Sequence, residues 1–204
     1  MSEPLIIGLT GPTGSGKSTV AQSLEEAGCA IIDADQMARE VVAPGAPALK
    51  ELQKEFGDEI LDDYGNLRRH TLANLAFSSP ERTKRLNDIT HPYILQLMNQ
   101  RIDNCRQTHK KVVVLDAPLL FEAGLEKICS VTLAVIAPRE QRLRRVMARD
   151  SITREEAEKR MSAQQDDQYY INRSDYVLVN QETSDALYYQ TRRLLQRLRE
   201  ELHV

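Results

Sequence analysis

A glycine-rich segment, Gly11-Pro12-Thr13-Gly14-Ser15-Gly16-Lys17-Ser18-Thr19, has the residue types and spacing of a phosphate-binding loop. Its glycines allow the backbone to wrap closely enough for several N–H groups to converge on one anion. A helix that begins near Lys17 adds the positive end of its dipole. Lys17 can reach the outer phosphates of a nucleotide, and the Ser18 hydroxyl can ligate Mg²⁺. The segment predicts phosphate binding, and it leaves open whether the phosphate passes to a second substrate or to water. The residues expected to hold phosphate are Gly11, Gly14, Ser15, Gly16, Lys17, Ser18 and Thr19.

Carboxylates follow two other apolar runs of the chain. Asp33-Ala34-Asp35 ends the second run, and Asp116 ends the third. Because ligands of an open parallel sheet bind beyond the carboxyl ends of its strands, we expect these groups near the outermost phosphate. Asp35 could instead cap the following helix, although the neighbouring phosphate loop favours a catalytic or metal-binding role. For Asp116, holding Mg²⁺ through water and forming a structural turn before Pro118 are both open.

Arginines are concentrated between Arg139 and Arg149, and Arg160 follows. A solvated helix face accounts for most of them. A phosphoryl-transfer enzyme also needs positive charge beside the transferring group, and arginines of a mobile lid can supply it. The break at Asp150-Ser151-Ile152 suits such a lid. Spacing alone does not rank Arg142, Arg149 and Arg160.

Five short apolar runs must position these groups. They are nearly continuously apolar, as is typical of parallel strands that are covered on both faces, and helical stretches separate them. The sequence therefore predicts an α/β fold with a parallel sheet. The runs are Leu5 to Leu9, Ala30 to Ile32, Val112 to Leu115, Val131 to Ile136 and Tyr176 to Val179.

Residues 36–111 contain no convincing strand, and turn-forming residues divide them into several helices. We expect a helical insertion at 36–111 that supplies a second substrate pocket, and a nucleotide-binding core at 4–35 and 112–204 within one domain. A second helical block, the expected lid, covers about 139–170, and Thr153 with Glu156 forms a capping box in it. The last helix begins near Ser184 and carries a leucine stripe that predicts core packing. The stripe consists of Leu187, Leu194, Leu195, Leu198 and Leu202.

Composition excludes several classes of protein. The 204 residues include 27 basic and 30 acidic side chains, a formal net charge of −3, so no general basic field favours nucleic acid or a membrane surface. No apolar run approaches the roughly 20 residues that span a bilayer. The N-terminus lacks the pattern of a secretion signal, and three well-separated cysteines are typical of a reducing compartment. We expect a cytoplasmic protein whose partners are small molecules, with no nucleic acid and no membrane.

Several motifs occur in one order from about Leu5 to Asn180, and together they resemble the dephospho-CoA kinase family. The phosphate loop is generic, whereas the Asp-Ala-Asp run with its following Ala-Arg and the Asp-x-Pro-Leu-Leu-Phe-Glu run are far more specific. The matching segments are Thr10-Gly11, Gly14 to Thr19, Ile32 to Asp35, Ala38-Arg39, His91-Pro92, Asp116 to Glu122, Gln141-Arg142, Arg149-Asp150, Arg160 and Gln164.

The resemblance implies a P-loop NTPase fold of three layers, with a five-stranded parallel sheet, a helical substrate-binding insertion and a helical lid. It implies transfer of the ATP γ-phosphate, with Mg²⁺, to the ribose 3′-hydroxyl of dephospho-CoA, the last step of coenzyme A synthesis. By position, Asp35 is the general base. Lys17, Arg142 and Arg149 complete the catalytic set, Arg160 joins the ATP site, and Ser18 and Asp116 support the metal. The residues implied for dephospho-CoA are Asp33, Asp35, Arg39, His91 and Leu119.

Two segments depart from the family pattern. Pro12-Thr13 stands where Gly-Ile is usual, and Asn172-Arg173-Ser174-Asp175 stands where an Ala-Asp pair is usual. Two other functions share part of the pattern: a nucleoside or nucleoside-monophosphate kinase, and a regulatory ATPase switch. The Asp33 to Arg39 run favours dephospho-CoA as acceptor. We expect a monomer or a weak homo-oligomer.

Overall fold

A five-stranded parallel sheet is the centre of the structure, a computed structural model that describes residues 3–181 and 183–202. Its strand order is β2-β3-β1-β4-β5, and every neighbouring pair is parallel. The predicted α/β fold is thus confirmed, and each apolar run is a strand. The strands are β1 (Leu5–Thr10), β2 (Ala30–Asp33), β3 (Val112–Asp116), β4 (Val131–Ile136) and β5 (Tyr176–Val179).

Helices occupy the intervals between the strands, and the predicted turn residues separate them. Short 3₁₀ turns cover Asp58–Ile60 and Leu125–Ile128. The capping box at Thr153 and Glu156 is present at the start of α7. The helices are α1 (Lys17–Glu26), α2 (Ala34–Glu40), α3 (Pro47–Phe56), α4 (Arg69–Ala76), α5 (Pro80–Gln107), α6 (Arg139–Asp150), α7 (Arg154–Ser162), α8 (Asp167–Ile171) and α9 (Ser184–Glu201).

The central strand β1 is buried along its whole length, which explains why it is apolar from Leu5 to Leu9. Leu5, Ile7 and Leu9 belong to a core that also contains α1 and α9 residues. Side chains alternate along a strand, so Ile6 and Gly8 face the opposite side of the sheet. A Cβ on Gly8 would lie 2.9 Å from a Leu120 methyl carbon, which shows how tightly the turn after β3 covers that side.

The leucine stripe of α9 packs into this core, with one exception. Leu187, Leu195 and Leu198 are buried, and Leu194 packs against the same cluster while partly exposed. Leu202 is 41% exposed, so the core prediction is wrong for that residue. Helix α9 ends at Glu201, and Leu202 therefore lies just past the last helical residue.

The chain forms two compact units. The described residues up to Asp33 and from Cys105 onward form the first, and Ala34–Asn104 form the second. The second unit has its own core, in which Leu52, Phe56 and Ile60 are buried. Its limits differ from the expected 36–111, because the end of α5 belongs to the first unit, where Arg106 Nε donates to the Glu3 carboxylate at 2.9 Å.

Within the described ranges, none of the helices has both the length and the apolar character needed to cross a membrane. The expectation about the N-terminus rests partly on Met1 and Ser2, which lie outside the described residues.

Candidate active site

The phosphate loop joins the end of β1 to the start of α1 and has a backbone that requires glycine. Gly11 and Gly16 have φ values of 145° and 104°. A Cβ on Gly11 would lie 2.2 Å from the Val135 carbonyl oxygen, and a Cβ on Gly16 would lie 2.3 Å from Asn180 Nδ2. Non-bonded atoms do not approach so closely. Close contacts with β4 and with the residue after β5 therefore require glycine at these two positions of the motif.

Polar side chains from two other elements hold the loop from outside. Arg145 Nη1 of α6 donates to the Gly14 carbonyl oxygen at 3.1 Å, and Asn180 Nδ2 donates to the Ser15 carbonyl oxygen at 2.7 Å. Sequence reasoning assigned no role to Arg145 or Asn180. Asn180 carries the signal that identified Asp33 and Asp116, since it is a polar residue directly after an apolar strand.

The expected lid contacts the loop at Thr13. Gln164 Oε1, between α7 and α8, accepts a hydrogen bond from the Thr13 backbone N–H at 2.9 Å. Arg149 Nη2, at the end of α6, lies 3.4 Å from Thr13 Oγ1. Thr13 is one of the residues at which the loop departs from the family pattern, and its hydroxyl gives Arg149 a partner that an aliphatic side chain lacks.

Lys17 and Asp116 are brought together at the carboxyl end of the sheet. Lys17 Nζ donates to the Asp116 carboxylate, and both side chains are largely buried. Asp33 is the register partner of Asp116 on the adjacent strand β2, so their side chains start from the same face of the sheet. Ser18 lies in the first turn of α1 and is exposed. These side chains surround the start of α1 with oxygen donors and one ammonium group.

Asp35 lies on a helix and not on a strand. Helix α2 begins at Ala34, so Asp35 occupies its first turn and is not its N-cap. A carboxylate there interacts favourably with the positive end of the helix dipole. Arg39 follows four residues later on the same face of α2, and both side chains are exposed to solvent.

Two other residues implied for the acceptor are also exposed. His91 lies on α5 directly before Pro92, which interrupts the hydrogen-bond ladder of that helix. Leu119, in the turn after β3, is 60% exposed. A large apolar side chain so exposed costs free energy in water, so Leu119 is available for contact with an apolar ligand surface.

The three lid arginines have different surroundings. Arg142 is buried: its Nε donates to the Ala137 carbonyl oxygen at 3.0 Å, and its Nη2 pairs with Asp167 at 3.0 Å. Its guanidinium therefore joins α6 to α8. Arg149 is exposed and reaches Thr13, whereas Arg160 of α7 does not contact the loop in any hydrogen bond of the described residues.

Asp150 joins two of these arginines. Its carboxylate accepts from Arg149 Nε at 2.7 Å and also from Arg160 Nη1. The hydrogen bond from Arg149, followed by the charges of both arginines, lowers the pKa of Asp150 below its usual value. Asp150 is therefore ionised at neutral pH and holds both positive side chains at the end of α6.

Residues 3–181 and 183–202 contain no cluster of three or more histidine, cysteine, aspartate or glutamate side chains able to hold a metal ion. The donors beside the loop are the Ser18 hydroxyl and the Asp116 carboxylate. Such oxygen donors fit Mg²⁺, which usually takes only one or two protein ligands and completes its shell with water and substrate phosphates.

Comparison with known proteins gives consistent matches. The family model described as dephospho-CoA kinase matches residues 5–185. A protein of Moorella thermoacetica named dephospho-CoA kinase is 45% identical over 174 residues, which cover 85% of this chain and 82% of the relative.

Solved structures agree with the fold. The crystal structure of TT1252 from Thermus thermophilus is 38% identical, with a TM-score of 0.84, and the match covers 97% of this chain and 99% of that one. The dephospho-CoA kinase from Campylobacter jejuni is 24% identical, with a TM-score of 0.71, over 96% of this chain and 98% of that one. At that identity the second likeness concerns the fold alone.

Proposed function

Because this chain belongs to the dephospho-CoA kinase family, we propose that its phosphate loop holds ATP and that Asp35 activates the acceptor. The enzyme phosphorylates the ribose 3′-hydroxyl of dephospho-CoA and forms coenzyme A and ADP, the last step of coenzyme A synthesis. The observation that carries the residue assignment is the phosphate loop itself, with Lys17 at the start of α1 and paired to Asp116.

Asp35 serves as the general base in this proposal. Its carboxylate accepts the proton of the 3′-hydroxyl while the hydroxyl oxygen forms a bond to the γ-phosphorus of ATP. The bond from that phosphorus to the β,γ-bridging oxygen breaks, and ADP leaves with the electron pair. A positioned base contributes typically about 10² to 10⁴-fold to such a step. Asp35 suits this role because its carboxylate is exposed.

Charge on the transferring group is balanced by the loop and the lid. Backbone N–H groups from Gly14 to Thr19 hold the phosphates, Gly11 shapes the turn, and Lys17 faces the outer phosphates. Arg149 is the lid arginine that we assign to the transferring group, because it is exposed and already contacts Thr13. Arg160 supports Arg149 through Asp150, and Arg142 acts by holding α6 against α8.

The chemistry beside Lys17 fits Mg²⁺. Ser18 would ligate the ion directly, and Asp116 would hold it through water. When bound with ATP, Mg²⁺ supplies positive charge at the β- and γ-phosphate oxygens. Asp33, Arg39, His91 and Leu119 are proposed to contact dephospho-CoA.

We also propose that the enzyme works in the cytoplasm on small molecules alone, as a monomer or weak homo-oligomer. The small net charge of −3 supports the absence of a nucleic-acid partner.

The experiment that tests this function is a coupled ADP-release assay with Mg·ATP and alternative acceptors. We expect release that depends on dephospho-CoA, with coenzyme A identified by mass spectrometry, and little release with adenosine, with AMP or without acceptor. Release that depends on AMP or a nucleoside would reassign the acceptor site. Release without any acceptor would favour a regulatory ATPase.

A further inference from the structure

The outer side of the phosphate loop is held by donors from two elements far apart in the sequence. Asn180 follows β5, where its backbone N–H donates to the Ile136 carbonyl oxygen at 2.8 Å. Its side-chain Nδ2 lies 2.7 Å from the Ser15 carbonyl oxygen. Arg145 Nη1 lies 3.4 Å from the same oxygen and 3.1 Å from that of Gly14. The Ser15 carbonyl therefore receives two donors, one of them charged.

These contacts fix the direction of one peptide group. In a trans peptide, the carbonyl of one residue and the N–H of the next point in opposite directions. Because Asn180 and Arg145 hold the Ser15 carbonyl outward, the Gly16 N–H is directed to the opposite, inner side of the loop. This is the N–H that directly precedes the first residue of α1, where an anion gains most from the helix dipole.

The surroundings of Asn180 would suit an apolar side chain better than an amide, apart from the hydrogen bond that the amide donates to Ser15. The residue is 6% exposed, and no described residue donates a hydrogen bond to its Oδ1. A buried polar atom without a partner lowers stability. Leucine, similar in size, would avoid that cost, whereas only a donor can hold the Ser15 carbonyl.

We infer that Asn180 and Arg145 are positioning residues that keep the Gly16 N–H directed at the ATP phosphates. The inference rests on the proposed role of the loop as the ATP site. Both residues act through the backbone of the loop and touch neither substrate. Replacing either residue should therefore weaken the binding of ATP and leave the binding of dephospho-CoA nearly unchanged.

The first test compares Asn180→Asp with Gln181→Glu. Both changes replace an amide by a carboxylate, but Asn180 is buried against the loop and Gln181 is exposed. At pH 8 the new carboxylate cannot donate and repels the Ser15 carbonyl. We expect calorimetry to show a Kd for Mg·ATP raised about 10- to 100-fold in Asn180→Asp and unchanged in Gln181→Glu. The KM for dephospho-CoA should stay within about twofold.

The pH dependence of Asn180→Asp separates positioning from loss of structure. Protonation of the new carboxyl restores an O–H donor. The ratio of its Kd to the wild-type Kd at the same pH should therefore fall as the pH is lowered from 8 to 5.5. A variant that is only less stable would show a lower melting temperature with a constant ratio.

The second test compares Arg145→Met with Arg144→Met. The two arginines are adjacent on α6, and Arg144 points away, with a side chain that is 77% exposed. We expect weaker Mg·ATP binding in Arg145→Met and unchanged binding in Arg144→Met. This comparison tests the inference even if Asn180→Asp does not fold. If wild-type protein binds no Mg·ATP, the proposed function fails and this inference with it. If wild-type and all four variants bind Mg·ATP equally, only the positioning inference is overturned.

Discussion

Lys17 and Asp116 form the ion pair from which the chemistry of the site is organised. The pair is largely shielded from water, so its attraction is stronger than that of a surface pair. Asp116 holds the lysine ammonium at the carboxyl end of the sheet. In the proposed function the lysine therefore needs little reordering to meet a phosphate of ATP.

Replacement of Asp35 tests the proposed base. We expect Asp35→Asn to lower kcat by about 10² or more, because the amide cannot accept the proton. The Kd for Mg·ATP should stay within about twofold. Asp63→Asn is the control, since Asp63 is also an exposed aspartate of the second unit. Steady-state kinetics and calorimetry measure both quantities, and wild-type turnover in Asp35→Asn would remove Asp35 as base.

Cys129 gives a prediction about stability at high pH. Burial, with smaller contributions from Glu126 and Asp175, raises the pKa of its thiol to about 12. In the unfolded chain the thiol loses its proton near pH 8.5, so the free energy of unfolding falls as the pH rises from there towards 12.

Urea unfolding of wild-type protein and Cys129→Ala measures this effect. From pH 8 to pH 10.5, the free energy of unfolding of wild-type protein should fall by about 2 kcal/mol more than that of Cys129→Ala, because alanine has no proton to lose. The corresponding difference between wild-type protein and Cys105→Ala should be smaller, since the Cys105 thiol is less buried and its ionisation costs less desolvation. A constant difference for Cys129→Ala would contradict the raised pKa.

At the scale of elements, the arginines of α6 differ in their contacts according to the face of the helix on which they lie. Arg142, Arg145 and Arg149 follow the i, i+3, i+7 spacing of one face and make contacts with α8 or the phosphate loop. Arg144 lies outside this face and is exposed. Leu143 and Val146 are fully buried and fix the rotation of the helix. The position of two apolar residues thus decides which arginines contact α8 and the phosphate loop.

This sorting predicts different effects for two lid arginines. We expect Arg149→Ala to lower kcat by about 10² or more with an unchanged melting temperature, because its side chain is exposed. Arg142→Ala should instead lower the free energy of unfolding by about 2 kcal/mol, since it leaves the buried Ala137 carbonyl and the half-buried Asp167 carboxylate without their charged donor.

Arg144→Ala is the control for both measurements and should change neither. Turnover and thermal unfolding of the three variants separate the roles. Equal and normal turnover in Arg149→Ala and Arg144→Ala would show that the exposed arginines form only a solvated face.

At the scale of the whole molecule, the two ends of the sequence share one core. Residues of α1, which follows the phosphate loop, pack with residues of α9 near the C-terminus. The stability of α9 is therefore coupled to that of α1, the helix that follows the phosphate loop. The second unit has a core of its own, separate from the one that α1 and α9 share.

Replacing α9 leucines by alanine tests how much the packing of α9 in the shared core contributes to the free energy of unfolding. Leu195 is 2% exposed, and we expect Leu195→Ala to lower the free energy of unfolding by about 2 to 5 kcal/mol, because the cavity refills only partly. Leu202→Ala should lower it much less, by about 0.5 kcal/mol, since Leu202 is 41% exposed and lies past the end of α9. Urea titration gives both values, and equal effects would contradict the observed end of the packed helix.

Much of the fold was predictable from local sequence. Parallel strands that are buried on both faces need continuous apolar runs, so β4 and β5 were predicted to the residue. The phosphate loop and the Thr153 capping box are also local, because all their residues lie within a few positions of one another.

The sequence by itself determined the fold class, the phosphate loop and the family, since each is carried by short runs or motifs whose own residues are neighbours in the chain. Only the tertiary structure decided that Arg142 is buried while Arg149 faces the loop, and that Asn180 holds Ser15 across 165 residues. The face of a helix and the partner of a polar side chain are fixed by packing against other elements. No spacing within a single helix or strand contains that information.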